Sequence, residues 1–192
     1  MICVRRARVE DARGIAAVHV AAWRSAYAGI LDDAYLASLS EARLTAFYQR
    51  AILDRRQGHA VFVATAGGTD QPGDQPGPTA GIIGFASGGR ARRHGLAEGE
   101  VETLYVLDDF RERGVGRRLM RAMAAHLRAI GCNSALVWVL ADNQARWFYR
   151  HLGGRPVMTE TIGVAGHPVQ QTALTWDPID ALLSATAPVK EG

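Results

Sequence analysis

Cysteine is scarce in this chain. Cys3 and Cys132 are the only two in 192 residues, too few for a disulfide framework or a zinc cluster, and both are expected to pack as small hydrophobes. Lysine is scarcer still. Lys190 is the single one, so the net charge of +3 is almost wholly arginine. That excess is modest, and no stripe of basic residues interleaved with aromatics marks a nucleic-acid partner. No apolar run reaches the roughly 18 residues that a bilayer span requires. The N-terminal segment is arginine-rich and has no apolar signal core, so the expectation is a cytoplasmic protein with no membrane partner. Six histidines (His19, His59, His94, His126, His151 and His167) are scattered without metal-ligand spacing, so no metal is expected. There is no internal repeat. The only low-complexity stretch, residues 67–78, is rich in Gly, Pro, Asp and Gln and reads as a hairpin loop, not a domain linker.

What is present suits a single α/β domain over residues 1–180, large enough to bury about 70% of its unfolded surface, with residues 181–192 expected to fray. Strands are expected at 2–7, 60–66, 79–88, 99–107, 134–140, 156–161 and 169–176. Helices are expected at about 11–23, 32–54, 114–130 and 143–151, from apolar periodicity and their start and stop residues. The order is β-α-α-β-β-β-α-β-α-β-β.

Residues 101–120 are the most informative. A strand ending at Leu107 passes through Asp108-Asp109-Phe110-Arg111-Glu112-Arg113-Gly114-Val115-Gly116 into a helix that opens with Arg117 and Arg118. Free backbone N–H groups and the positive end of a helix dipole then converge on one spot, which favours an anion such as phosphate. A P-loop is excluded, because Arg117-Arg118 stands where Lys-Ser or Lys-Thr would follow the second glycine. A dinucleotide fingerprint is excluded too, because Leu119 occupies the position of its third glycine. Downstream, a β-branched run ends at Asp142-Asn143, and a short helix runs on to Gly153.

The set Arg111, Gly114 and Gly116 resembles motif A of the GNAT N-acetyltransferases. Asn143, Ala145, Phe148, Tyr149, Leu152 and Gly153 resemble that family's motif B, in the family's order and about thirty residues on. The resemblance covers residues 99–155. It implies the GNAT fold, a mixed, mostly antiparallel sheet flanked by helices, whose two parallel central strands (99–107 and 134–140) splay apart around acetyl-CoA. It assigns that cosubstrate to Leu104, Tyr105 and Val106, to Arg111, Glu112, Arg113, Gly114, Val115, Gly116, Arg117 and Arg118, and to Asn143, Ala145 and Phe148. Asn143 has two readings, a support for the pantetheine arm or a helix cap.

Amide formation from a thioester needs a neutral amine, a stabilised carbonyl oxygen and a protonated or neutralised leaving thiolate. Glu100 and Glu102 are the candidate bases, with loss of the proton straight to solvent as the alternative. Period-2 alternation puts both on the face of Leu104 and Val106. The resemblance makes Tyr149 the acid, aimed at the coenzyme sulfur, and gives the amide of Leu104 or Val106 to the carbonyl. The acceptor site falls to the first helices, with Trp23 and Tyr27 foremost and His19, Tyr35 and residues 90–94 nearby. A small-molecule amine is the expected acceptor and a protein or peptide amine the alternative. A non-catalytic acyl-CoA sensor is the rival of another class. Family members often dimerise, which leaves a homodimer open.

Overall fold

The computed structural model describes residues 2–54, 56–67 and 81–188. Its strands are β1 (Ile2–Arg6), β2 (Ala60–Ala66), β3 (Ile82–Arg90), β4 (Gly99–Val106), β5 (Ala135–Leu140), β6 (Arg155–Val164) and β7 (His167–Trp176). Its helices are α1 (Ala12–Ala26), α2 (Asp33–Ala37), α3 (Glu41–Leu53), α4 (Val115–Ala129), α5 (Ala145–His151) and α6 (Asp180–Ala185). The strands form one sheet in the order β1-β2-β3-β4-β5-β7-β6. Only β4 and β5 run parallel; every other neighbouring pair is antiparallel. The expected loop lies, from residue 68 on, outside the described residues.

Each face of the sheet is covered by helices whose apolar residues recur at helical spacing. On one face α4 buries Leu119, Met120, Met123, Ala124 and Leu127 against Ile83, Ala86, Val101 and Val137. On the other, Ala12, Ile15 and Val18 of α1 and Tyr48 of α3 close over Val61, Val63 and Phe85. A smaller cluster of Tyr27, Leu31 and Leu36 gathers Trp23, Tyr35, Tyr105, Leu140, Val164 and Val169 around it.

Three expectations need correction. The single helix expected over 32–54 is two, because Asp32 and Ser40 each start a new one: their side chains accept from the N–H groups of Tyr35 and Arg43 respectively. Cys3 is exposed on edge strand β1, whereas Cys132 is buried as expected. Of the segment expected to fray, residues 181–188 are ordered, and 189–192 lie outside the described residues. The chain here forms α6, where Ile179 and Leu182 are fully buried in the α4-side core and the Leu183 carbonyl accepts from Arg121. A short apolar stripe seated on α4 offsets the entropy that would otherwise free a chain end.

Leu182→Ala should therefore lower the unfolding free energy by about 2–3 kcal/mol. Urea denaturation would check this; a change below about 0.5 kcal/mol is what an unpacked tail would give.

Candidate functional site

The site begins with a defect in β4. Ser87 of β3 stands opposite Thr103, and the next residue, Gly88, stands opposite Val101, so Glu102 has no partner and forms a β-bulge. Gly88 makes room for it, since a Cβ there would overlap the Glu100 carbonyl. The bulge also reverses the alternation. Val101, Leu104 and Val106 all face the α4-side core. Thr103 bonds Ser87, and Tyr105 packs on Phe85, on the α1/α3 side. Glu102 shares that side, where it meets His59 and influences Tyr48. The expectation that Glu100 and Glu102 lie on the face of Leu104 and Val106 is thus incorrect for both: it holds for an unbroken strand, and the extra residue moves Leu104 and Val106 to the face opposite the two glutamates.

At the bulge β4 also leaves β5. Their parallel pairing covers Gly99–Ala135, Glu100–Leu136 and Val101–Val137 and stops there. Beyond it β4 runs on to Val106 and β5 to Leu140, separated by a wedge-shaped gap, so the edge of β4 facing the gap has left its ladder.

At the mouth of the gap stands the N-terminus of α4. Asp108–Phe110 makes one 3-10 turn, Glu112 and Gly114 take left-handed φ values of 60° and 75°, and α4 starts at Val115. For Glu112, which carries a Cβ, that conformation costs about 1 kcal/mol. No side chain caps α4. The first helical bond is donated by Arg118 to the Gly114 carbonyl, which leaves the preceding N–H groups outside the helix ladder. A Cβ on Gly114 would meet nothing within 4 Å, so the loop has open space beside it. Gly116 differs: a Cβ there would stand 3.3 Å from the Phe148 ring, so its role is close packing of α4 on α5. The arginines are partly spent elsewhere. Arg111 pairs with Asp108 at 2.8 Å, Arg113 lies over the Phe110 ring, Arg117 donates to the Ala187 carbonyl and Arg118 to that of Ile2.

On the β5 side, the Asn143 Oδ1 accepts from Ala145 N at 2.8 Å, which caps α5. The same side chain interacts with the Tyr27 hydroxyl, which also engages Tyr105. Tyr27, at the end of α1, so bridges β4 to the turn after β5 on the α1 side. Tyr149 is buried in α5 against Phe148 and Trp176. Burial, followed by the nearby Tyr27, pushes its phenol well above the ordinary value, so it stays protonated. The Trp23 indole N–H is buried beside the Tyr105 hydroxyl without a well-formed hydrogen bond; among the described residues it is the only such side-chain atom.

The two glutamates have different surroundings. Glu100 is 3% exposed, and both of its oxygens are taken by Arg92, through the backbone N at 3.1 Å and the guanidinium at 3.2 and 2.5 Å. Glu102 lies 3.6 Å from His59 Nε2. Burial works to raise Glu102, but His59, with Arg92 beyond it, holds the carboxyl below its usual value. Glu102 and His59 line an open cavity of about 1420 Å³ between α3, the end of β3 and the β3–β4 connection; Trp23 and Tyr27 do not border it. His19 stacks on Trp23 and shares a 2.7 Å hydrogen bond with the Tyr48 hydroxyl. Within residues 90–94, Arg92 is clamped to Glu100 and Arg93 lies over Trp138 while pairing with Glu160. His59 and the Arg93–Trp138–Glu160 clamp have no sequence signature, since each joins residues from distant elements. Among the described residues no group of His, Cys, Asp and Glu could hold a metal ion, and no helix is long and apolar enough to cross a membrane.

Comparison with known proteins agrees with this geometry. The profile of the acetyltransferase (GNAT) family matches residues 19–153. An uncharacterised N-acetyltransferase of Bacillus subtilis, YuaI, is 32% identical over 95% of this chain and 96% of its own length. Among solved structures, YncA of Salmonella typhimurium, a putative acetyltransferase in complex with acetyl-CoA, superposes with a TM-score of 0.64 at 20% identity over 99% of both chains. The PaiA N-acetyltransferase of Thermoplasma acidophilum, in complex with coenzyme A, gives 0.64 at 16% identity over 90% of this chain and 98% of that one.

The half-buried His19 ring beside Trp23 couples stability to pH. Burial lowers His19 to about 4, so between pH 6.5 and 4 the unfolded chain binds a proton that the folded one refuses. Stability from this group is complete above the unfolded value and falls as pH drops, by up to about 3 kcal/mol at pH 4. Urea unfolding across that range should show the loss, and His19→Gln should flatten it.

Proposed function

Because the chain belongs to the GNAT acetyltransferase family, we propose that it transfers the acetyl group of acetyl-CoA to a primary amine of a small molecule, by direct attack while both are bound. The observation that carries this reading is the coincidence of the β4–β5 gap with the uncapped N-terminus of α4 at its mouth. The Gly114 loop, with its left-handed backbone and vacant space, fits a pyrophosphate held by main-chain N–H groups. Acetyl-CoA supplies the activated thioester.

The chain's own residues divide the remaining work. Glu102 accepts the proton of the attacking amine. Glu100 is the weaker choice, because its oxygens are already occupied by Arg92. Backbone N–H groups on the free edge of β4, at Leu104 or Val106, are suited to the carbonyl oxygen as it gains charge. Tyr149, kept protonated by burial, donates to the departing sulfur. Trp23, whose indole N–H neighbours the Tyr105 hydroxyl without a well-formed hydrogen bond, is suited to the acceptor side. A small acceptor is favoured because α1, α2 and the β6–β7 hairpin meet over Tyr27, with Val164 and Val169 in the cluster, and this closes one end of what a peptide would need as a through-groove.

Calorimetric titration with acetyl-CoA, with free pantetheine as control, is the first test. Micromolar binding that weakens sharply without the pyrophosphate is expected, and Gly114→Val should abolish it; normal affinity in that folded variant would remove the phosphate loop. Binding without thiol release over a broad panel of amines would indicate a sensor and overturn the enzymatic reading. Tyr149→Phe should lower kcat at least tenfold while acetyl-CoA affinity holds, and an unchanged rate would remove it as the acid.

A further inference from the structure

His59, just before β2, has no part in the scheme above. Its side chain is 16% exposed and lies between α3 and β4. Its Nδ1 is 3.2 Å from the Ala51 carbonyl oxygen. A carbonyl only accepts, so Nδ1 carries the hydrogen. Neutral His59 therefore turns a bare Nε2 lone pair toward Glu102 Oε2, 3.6 Å away, about 0.6 Å beyond hydrogen-bond length. Two lone pairs in that position repel, and one proton between them satisfies both, so the pair titrates as a unit. Both side chains border the open cavity of about 1420 Å³, which gives the proton a route to water.

We propose that Glu102 and His59 act together as one proton acceptor, in which Glu102 takes the amine's proton and neutral His59 receives it at Nε2. This rests on Glu102 being the base. As the amine nitrogen bonds to the acetyl carbon and the carbon–sulfur bond breaks, one N–H proton passes to Glu102 and on to His59, while the Tyr149 hydroxyl gives its proton to the sulfur; His59 then releases its proton to water and the Tyr149 phenolate regains one, which restores the enzyme. His59 touches neither substrate; it is a positioning residue that acts through Glu102.

The charges around the pair come from every neighbouring element. Tyr48 and Asp54 approach from α3 and its end, Arg92 from the β3–β4 connection and His126 from α4. Glu102 raises His59 most, against burial, and Asp54 adds to the rise. Arg92 is already clamped to Glu100, and the Tyr48 hydroxyl is used by His19. A protonated His59 cannot receive a second proton. Turnover should therefore increase with pH through a midpoint above histidine's ordinary 6.5.

Two measurements test this. In ¹⁵N-histidine NMR of the whole protein, neutral His59 should be the Nδ1–H tautomer, with a midpoint that falls on Glu102→Gln; an Nε2–H tautomer or an unmoved midpoint overturns the dyad. In parallel, kcat is followed against pH with acetyl-CoA and benzylamine as the probe acceptor. His59→Gln should lose about tenfold in kcat and the limb above pH 6.5, with unchanged acetyl-CoA affinity, and the double variant should be no slower than Glu102→Gln alone. A uniform loss that keeps the limb would show a purely structural role. If Glu102→Gln itself turns over normally, the assignment of the base fails; if it is impaired while His59→Gln keeps the wild-type limb, only the dyad fails.

Discussion

The parallel contact between β4 and β5 lasts for three residue pairs, and the rest of the site depends on its ending there. A sheet of seven strands would ordinarily satisfy every central backbone group on both sides. Here the bulge at Glu102 bends β4 away at the point where the pairing stops. One defect thereby opens a gap lined by backbone and carries Leu104 and Val106 to the α4-side core, away from the two glutamates.

The gap is held open by packing on both faces. Tyr149 and Phe148 of α5 join the α4-side core, and the absence of a Cβ at Gly116 lets α5 come close. On the opposite face Tyr27 reaches both Tyr105 and Asn143, so α1 spans the two diverging strands. Interiors are close-packed and resist small displacements, so these contacts act as fixed spacers.

The arginines around the Gly114 loop are largely committed within the protein. Arg111, Arg117 and Arg118 flank the loop, yet one is paired with Asp108 and two donate to carbonyls of the chain's ends. Arg92 and Arg93 likewise lock the β3–β4 connection to Glu100 and Glu160. The main-chain donors at Gly114 and the start of α4 are what remain uncommitted, and their direction is set by backbone geometry alone.

Local signals were legible because they act over a few residues. Apolar alternation marked the strands, and Ala60–Ala66 matches its expected bounds. Gly114 announced the left-handed turn before α4, and Asn143 the start of α5. Where short-range rules competed, reading failed: Ser40 divides one expected helix, and Leu182 seats a tail that composition alone would leave loose. The sequence by itself determined the seven strands, the helices on either side of β5 and the turn at Gly114, and it named the candidate glutamates, since spacing and residue type suffice for each. Only the tertiary structure decided which carboxylate is occupied by Arg92, which one meets His59, and that both lie on the face opposite Leu104 and Val106. Those outcomes turn on one unpaired residue in a strand and on contacts between elements more than forty residues apart, such as His59 with Glu102, and no local pattern encodes them.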